Sequence, residues 1–193
     1  MVLFLDIEEV FPNADNTQLL SNLTKRRIPQ ELVSLVANML KDRCTMLKFD
    51  EYKSESITLN NGIGHGDPLS MALYQVYNAD LLEIPIGREE PAITYVDNAI
   101  LIAFAEPFQE AHNRLLDMMT RPDGALEWAE KHNLRFELSK LALIDFVHHS
   151  RKIERPPLVL PNATVKSPTE STTYLGVINA GSQSITLCSG EMR

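Results

Sequence analysis

Apolar residues along this chain follow two rhythms, one of period two and one of period 3.6, and the two alternate irregularly. Val2–Ile7 is a continuous apolar run closed by Asp6, which predicts a buried strand with a carboxylate at its end. Pro12, Asn13 and Asp15 then predict a turn and a helix cap. Leu19, Leu20 and Leu23 recur at helical spacing over Gln18–Arg27, and Ile28-Pro29 breaks that run. Over Gln30–Lys41 the apolar set Leu32, Leu35, Val36, Met39 and Leu40 predicts a second helix with one face buried. Thr45–Phe49 and Glu55–Leu59 alternate around Asp50–Lys53 and predict a hairpin with a polar turn. After a loop rich in glycine, Leu69–Leu82 is helical, with Met71, Leu73, Tyr74, Tyr77 and Leu81 spread around it. Ala92–Val96 and Ala99–Phe104 are β-rich runs joined by Asp97-Asn98, an Asx pair suited to a two-residue turn. A long helical segment, Pro107–Lys131, is interrupted at Pro122-Asp-Gly124. Leu134–Leu138 and Leu141–Val147 predict short strands. A loop-rich tail after Pro156-Pro157 holds strand candidates at Leu158–Leu160, Thr173–Val177 and Ile185–Leu187. Hairpins mixed with helices, without internal repeats, point to an α+β fold and away from a doubly wound parallel sheet.

Composition narrows this picture. The 193 residues are 44% hydrophobic and 23% charged, enough for a single domain with a real core. No apolar run reaches the ~18 residues a membrane span needs, so no membrane association is expected. Asp6 and Glu8 interrupt the apolar start, which fits a strand better than a signal peptide. Cys44 and Cys188 stand far apart outside any Cys-x-x-Cys pattern, so neither zinc nor a disulfide framework is indicated, and a reducing compartment is expected. The formal net charge of −8 argues against a strong grip on nucleic acid by this chain alone. The basic clusters Lys25-Arg26-Arg27, Lys41-Asp42-Arg43 and Arg151-Lys152 with Arg155 read as solvated helix ends and loops.

Two strand-borne carboxylates carry the chemistry. If the strand of Asp6 pairs beside the Asp97 hairpin, both meet at one end of a sheet, where they can hold hard divalent cations. Asp97-Asn98 by itself is good turn chemistry, and an acid at a strand end is common. His132 and His148-His149 form no His-Glu-x-x-His pattern and read as surface residues; Trp128 reads as core and not as a base-stacking platform.

Phe4-Leu-Asp6-Ile-Glu-Glu-Val-Phe11 resembles the first catalytic motif of reverse transcriptases, F-x-D-h-x-x-A-F. Gly62-Ile-Gly-His-Gly-Asp-Pro-Leu-Ser70 resembles their G-I-P-Q-G-S-P-L-S loop, and Tyr95-Val-Asp-Asn98 their Y-x-D-D hairpin. Ala129-Glu-Lys-His-Asn-Leu-Arg-Phe-Glu-Leu-Ser-Lys140 is similar to the segment that follows, and Tyr174-Leu-Gly-Val177 to the primer-grip hairpin. The motifs occur in family order over about residues 2 to 178, nearest to non-LTR retrotransposons, their fungal members in particular. The resemblance implies a polymerase palm, a ferredoxin-like antiparallel sheet backed by helices, with fingers and thumb largely missing. It implies a palm-like domain over 1–178 and a divergent tail over 179–193.

The resemblance also implies roles. Asp6 and Asp97, with the backbone carbonyl of Ile7, would ligate Mg²⁺ or Mn²⁺; Asn98 stands in the second acidic position. Lys140 would neutralise or protonate the leaving pyrophosphate, or is a surface lysine between strands. Phe11 would exclude the 2′-OH of an incoming nucleotide, or is an ordinary core aromatic. Gly62, His65 and Gly66 would approach the template base and the nucleotide. The implied partners are an RNA template, a DNA primer, dNTPs, and other domains or chains supplying fingers and thumb, in a nuclear or cytoplasmic setting. The departures are Asn98 for Asp, Gly64-His65-Gly66-Asp67 for Pro-Gln-Gly-Ser, and Pro12 where the family usually has Asp. They leave two readings open: RNA-templated DNA synthesis, weak or lost in the isolated chain, and an inactive truncated copy kept as a structural or binding module. A third, a small-molecule enzyme, has only the two carboxylates behind it.

Overall fold

The computed structural model describes residues 1–64, 66–146, 157–161 and 165–180. In chain order, β1 (Val2–Asp6) is followed by α1 (Val10–Asn13), α2 (Asn16–Lys25) and α3 (Gln30–Leu40). Four short strands come next: β2 (Arg43–Thr45), β3 (Lys48–Phe49), β4 (Tyr52–Lys53) and β5 (Ile57–Leu59). Helix α4 (Pro68–Asn78) runs into a 3-10 turn (Ala79–Glu83), then β6 (Ala92–Tyr95), β7 (Asn98–Ile102), α5 (Phe108–Thr120) and α6 (Ala125–Lys131). The described chain closes with β8 (Ala142–Ile144), β9 (Leu158–Val159), β10 (Val165–Lys166), β11 (Ser171–Tyr174) and β12 (Val177–Ala180). Contacts divide it into two compact units. One holds Met1–Ile7, Leu81–Trp128 and the chain from Phe136 onward; the other holds Glu8–Asp80 and Ala129–Arg135.

The first unit is built on an antiparallel sheet of order β6-β7-β1-β8. Strand β1 lies between β7 and β8, and its successive residues Leu3, Phe4 and Leu5 are all buried, so both of its faces are covered and its sequence is apolar without alternation. Leu3 faces Leu101 on one side and Leu143 on the other, and all three are fully buried. Burying each such leucine contributes about 1.5–3 kcal/mol. On the opposite face Phe4, Ile100, Ala142 and Ile144 form a second cluster, onto which Tyr174 of β11 packs. Helix α5 packs against β7 and buries Ala111, Leu115, Met118 and Met119. It stops where the sequence predicts: Asp123 is left-handed (φ 58°), and a Cβ on Gly124 would lie 2.7 Å from the Arg121 carbonyl oxygen. Trp128 is buried beside Phe136, as the core reading expects. The strand expected over Leu134–Leu138 shrinks to one bridge, Phe136 to Ile7.

In the second unit, Asp15 caps α2 by accepting the Gln18 amide at 2.7 Å. The predicted hairpin forms as two nested pairs, β2 with β5 and β3 with β4, so its turn narrows to Asp50-Glu51. Helix α3 corrects part of the expected face, of which Val36 and Leu40 are buried as expected. It buries Val33, Val36 and Leu40, while Leu32, Leu35 and Met39 are exposed. Both stripes have helical spacing; packing against α2 selects the first. His132, expected at the surface, is buried at 3% exposure, its ring edge-on to Tyr77 with centroids 5.0 Å apart. The Tyr77 hydroxyl donates to the His132 carbonyl and accepts from the Asp15 amide at 2.9 Å. Burial pushes that phenol well above its ordinary range, so it stays a donor.

The strand candidate Ile185–Leu187, the basic cluster from Arg151 to Arg155, His148-His149, Cys188 and the site candidate His65 lie outside the described residues.

Candidate active site

The first unit brings two carboxylates to one end of its sheet. Asp6 closes β1 and lies directly across from Asn98, the first residue of β7. The hairpin turn is Val96-Asp97 and not the expected Asp97-Asn98, because Tyr95 pairs with Asn98. Pairing with β1 claims Asn98 for the strand and moves the turn back one residue. The Ile7 amide donates to the Asp97 carbonyl at 2.8 Å and closes the tip against β1. Val96 then carries a left-handed backbone, φ 52°. A β-branched residue in that region is strained by about 1–3 kcal/mol, a cost the surrounding register must impose.

Each carboxylate already has a donor. Asn98 Nδ2 donates to Asp97 Oδ1 at 2.8 Å, so its amide turns a donor toward the neighbouring acid. Lys140 Nζ stands 2.7 Å from Asp6 Oδ2, with 66% of the lysine side chain and 21% of the aspartate exposed. The Lys140 pKa is raised, first by its bond to Asp6 and then by the charges of Asp6, Glu137 and Asp97, so the ammonium sits in the field of three carboxylates. Lys140 is placed by a tight local turn. Its amide bonds to the Glu137 carbonyl at 3.0 Å, Ser139 Oγ bonds to Glu137 Oε1 at 2.5 Å, and the Glu137 amide bonds to the Asp6 carbonyl at 2.8 Å. This arrangement unites Asp6, Asp97, Asn98, Lys140 and Ile7 in one unit. It adds Glu137, which the sequence placed only inside an expected strand and the motif segment that ends at Lys140. Tyr174, which opens the hairpin similar to the primer grip, packs its ring on Phe4 with centroids 5.4 Å apart. The Tyr174 hydroxyl is buried without a hydrogen-bond partner among the described residues, and burial together with the charge of Asp97 raises its pKa.

Two carboxylates and backbone carbonyls are hard oxygen donors, the chemistry Mg²⁺ or Mn²⁺ prefers. The set is sparse: among the described residues no three His, Cys, Asp or Glu side chains cluster as a metal site. Both ions would depend on Asp6, Asp97 and carbonyl or solvent oxygens.

The other predicted residues belong to the second unit. Phe11 is half-buried against Tyr74, ring centroids 5.3 Å apart. Its carbonyl accepts the Ile63 amide at 2.7 Å, and the Gly62 amide donates to Ala14 at 2.7 Å, so the glycine loop is strapped to the segment carrying Phe11. Arg43 of β2 holds the same loop through the carbonyls of Asn61 and Gly62, at 3.0 and 2.5 Å. Gly62 has φ +89°, and a Cβ there would lie 2.6 Å from the Pro12 carbonyl oxygen. Gly66 also has a positive φ, +83°, but a Cβ there would meet nothing within 4 Å. Asp67 has a structural role: it caps α4, accepting the Leu69 amide at 2.9 Å ahead of Pro68.

A model of the family "Reverse transcriptase (RNA-dependent DNA polymerase)" matches residues 1–179. Two curated relatives, RNA-directed DNA polymerases from the mobile element jockey of Drosophila melanogaster and Drosophila funebris, are each 27% identical to the chain. They align over 90% and 91% of it and 19% of their own length. A Pol polyprotein from the type-1 retrotransposable element R2 of Nasonia vitripennis is 26% identical over 53% of the chain and 11% of its own length. The chain thus spans about a fifth of the length of the jockey relatives. Among solved structures, telomerase from Candida Tropicalis in complex with a TWJ fragment of telomeric RNA covers 100% of the chain. Its TM-score is 0.67 at 9% identity, and the match takes in 30% of that protein. An apo form truncated from its C-terminal domain covers 96% of the chain at TM-score 0.61 and 10% identity, and the match takes in 34% of that protein. At these identities the likeness is one of fold, and it matches the palm-like expectation.

Proposed function

Since the chain belongs to the reverse transcriptase family, we propose that it carries the palm, over residues 1–178, of a non-LTR retrotransposon RNA-directed DNA polymerase, with 179–193 outside that domain. The reaction proposed is RNA-templated DNA synthesis, in which a primer 3′-OH attacks the α-phosphate of a dNTP and pyrophosphate leaves. The observation that carries this reading is the antiparallel register setting Asp6 across from Asn98, with Asp97 in the adjoining turn.

Asp6, Asp97 and the Ile7 carbonyl would hold Mg²⁺, or Mn²⁺ in its place. When bound, such an ion offsets charge on phosphoryl oxygens and draws a hydroxyl toward its conjugate base. The chain's own residues do the remaining work. Asn98 fixes the orientation of Asp97 through its amide. Lys140 holds a positive charge beside the carboxylates, where it would meet the charge growing on pyrophosphate. Phe11 is proposed to exclude a 2′-OH, and Gly62 and Gly66 to admit a nucleotide close to backbone; His65 would flank them. A template, a primer and further domains or chains supplying fingers and thumb complete the proposed assembly, in the nucleus or cytoplasm. No described helix is long and apolar enough to cross a membrane.

A second reading rests on Asn98. Its amide brings no charge and is engaged with Asp97, which suits an inactive copy kept as a binding module. Primer extension on an RNA template with purified protein, Mg²⁺ or Mn²⁺, and an Asp97→Ala control separates the two. Template-directed extension lost in Asp97→Ala is the expected result; absence of extension under both ions favours the inactive copy.

A further inference from the structure

The ammonium of Lys140 lies where a cation is needed. It is 2.7 Å from Asp6 Oδ2, a charge-assisted hydrogen bond of ordinary length, and Glu137 and Asp97 add to the negative field around it. Its backbone is tied by the turn to Glu137, whose amide in turn holds the Asp6 carbonyl, so the lysine stem springs from a fixed point beside β1. The side chain itself is two-thirds exposed, so it can leave Asp6 without moving any packed group.

We propose that Lys140 is the resident cation of the carboxylate site, and that a divalent ion takes its place on Asp6. The proposal rests on the reading of Asp6 as a metal ligand. A divalent ion on Asp6 would compete with Lys140 for Oδ2, and two cations at such short range repel each other. Arrival of the metal therefore releases Lys140 from Asp6, and the same exchange frees its charge for the phosphate side. Lys140 is thus the residue that sets how readily the site loads. Its neutral replacement removes a competitor for Asp6 and a like charge from the neighbourhood of the ion.

Two measurements test this without reference to polymerisation. In the first, Mn²⁺ is titrated into the purified full chain and its free concentration read by electron paramagnetic resonance. Lys140→Met is expected to bind Mn²⁺ roughly two- to fivefold more tightly than the parent, the range set by an exposed ion pair, and Asp6→Asn to lose that binding. In the second, amines are acylated with and without Mg²⁺ and the modified lysines are identified by mass spectrometry. Mg²⁺ is expected to raise the labelling of Lys140 in the parent, while Asp6→Asn labels fast regardless of Mg²⁺. Unchanged or weaker Mn²⁺ binding by Lys140→Met overturns the proposal, as do Lys140 labelling that falls with Mg²⁺ and an absence of Mn²⁺ binding in every variant. Tighter binding by Lys140→Met upholds it even where primer extension fails, so the metal exchange and the polymerase reading fail separately.

Discussion

At the scale of single residues, the site turns on which way the Asn98 amide faces. Its donor lies 2.8 Å from Asp97 Oδ1, so Asn98 neutralises part of its neighbour's field and adds none of its own. Asn98→Asp removes that donor and sets two carboxylates side by side. Without divalent ions the variant is expected to lose roughly 0.5–1.5 kcal/mol, the worth of the hydrogen bond, read as a lower urea midpoint. In millimolar Mg²⁺ the order reverses, because a third carboxylate tightens the ion and ligand-linked stabilisation grows with affinity. A variant less stable than the parent in both solutions would place the cation elsewhere. That Asp6 and Asp97 would meet at one end of a sheet was legible from two strand-borne carboxylates. The role of Asn98 was not, because the direction of an amide depends on register: Tyr95 pairs with Asn98, and the turn falls on Val96-Asp97. Nothing in the letters Val-Asp-Asn says that the valine, and not the asparagine, adopts the left-handed conformation.

Among the elements, the glycine loop and α3 show opposite limits of inference. The loop's backbone demand was visible, and the strap explains it, since Gly62 lies against the carbonyls of Phe11 and Pro12. Gly62→Ala is expected to cost roughly 2–4 kcal/mol through both strain and clash, whereas Gly66→Ala, with open space around it, should cost only about 1 kcal/mol. Thermal unfolding of the two variants side by side is the check, and equal losses would mean the loop is not clamped at Gly62. For α3 the periodicity was correct, and Val36 and Leu40 fall on the buried face as expected, but Leu32, Leu35 and Met39 do not. Two stripes, Leu32-Leu35-Met39 and Val33-Val36-Leu40, satisfy the same spacing, and only the neighbouring α2 decides between them. His132 is a similar case: its buried ring packs edge-on to Tyr77, some fifty-five positions away in sequence, with Asn22 Nδ2 3.5 Å from its Nε2, and no local pattern announces it. Where partners are local, as in the Asp15 cap or the Pro122-Asp-Gly124 break, the elements were readable.

For the whole molecule, charge sets the expectation for nucleic acid. At −8 the chain offers few basic groups to neutralise phosphates. Single-stranded RNA should bind weakly, with a slope of log affinity against log salt smaller than about 3 in magnitude, as measured by fluorescence anisotropy. A slope beyond about 5 would reveal a concentrated basic face that the net charge does not foretell. The fold class was legible because hairpins and helices alternate irregularly, while the strand order of the sheet was not, since β1 draws its partners from far along the chain. That order has a consequence in time. During synthesis β1 is made before either strand that flanks it, and β8 follows it by about 140 residues. At roughly 5–20 residues per second, the ribosome needs on the order of ten seconds to supply that last neighbour. Until β7 is made, about 90 residues after β1, Leu3, Phe4 and Leu5 have no strand to pair with, and the edge they share with β8 stays open longer still.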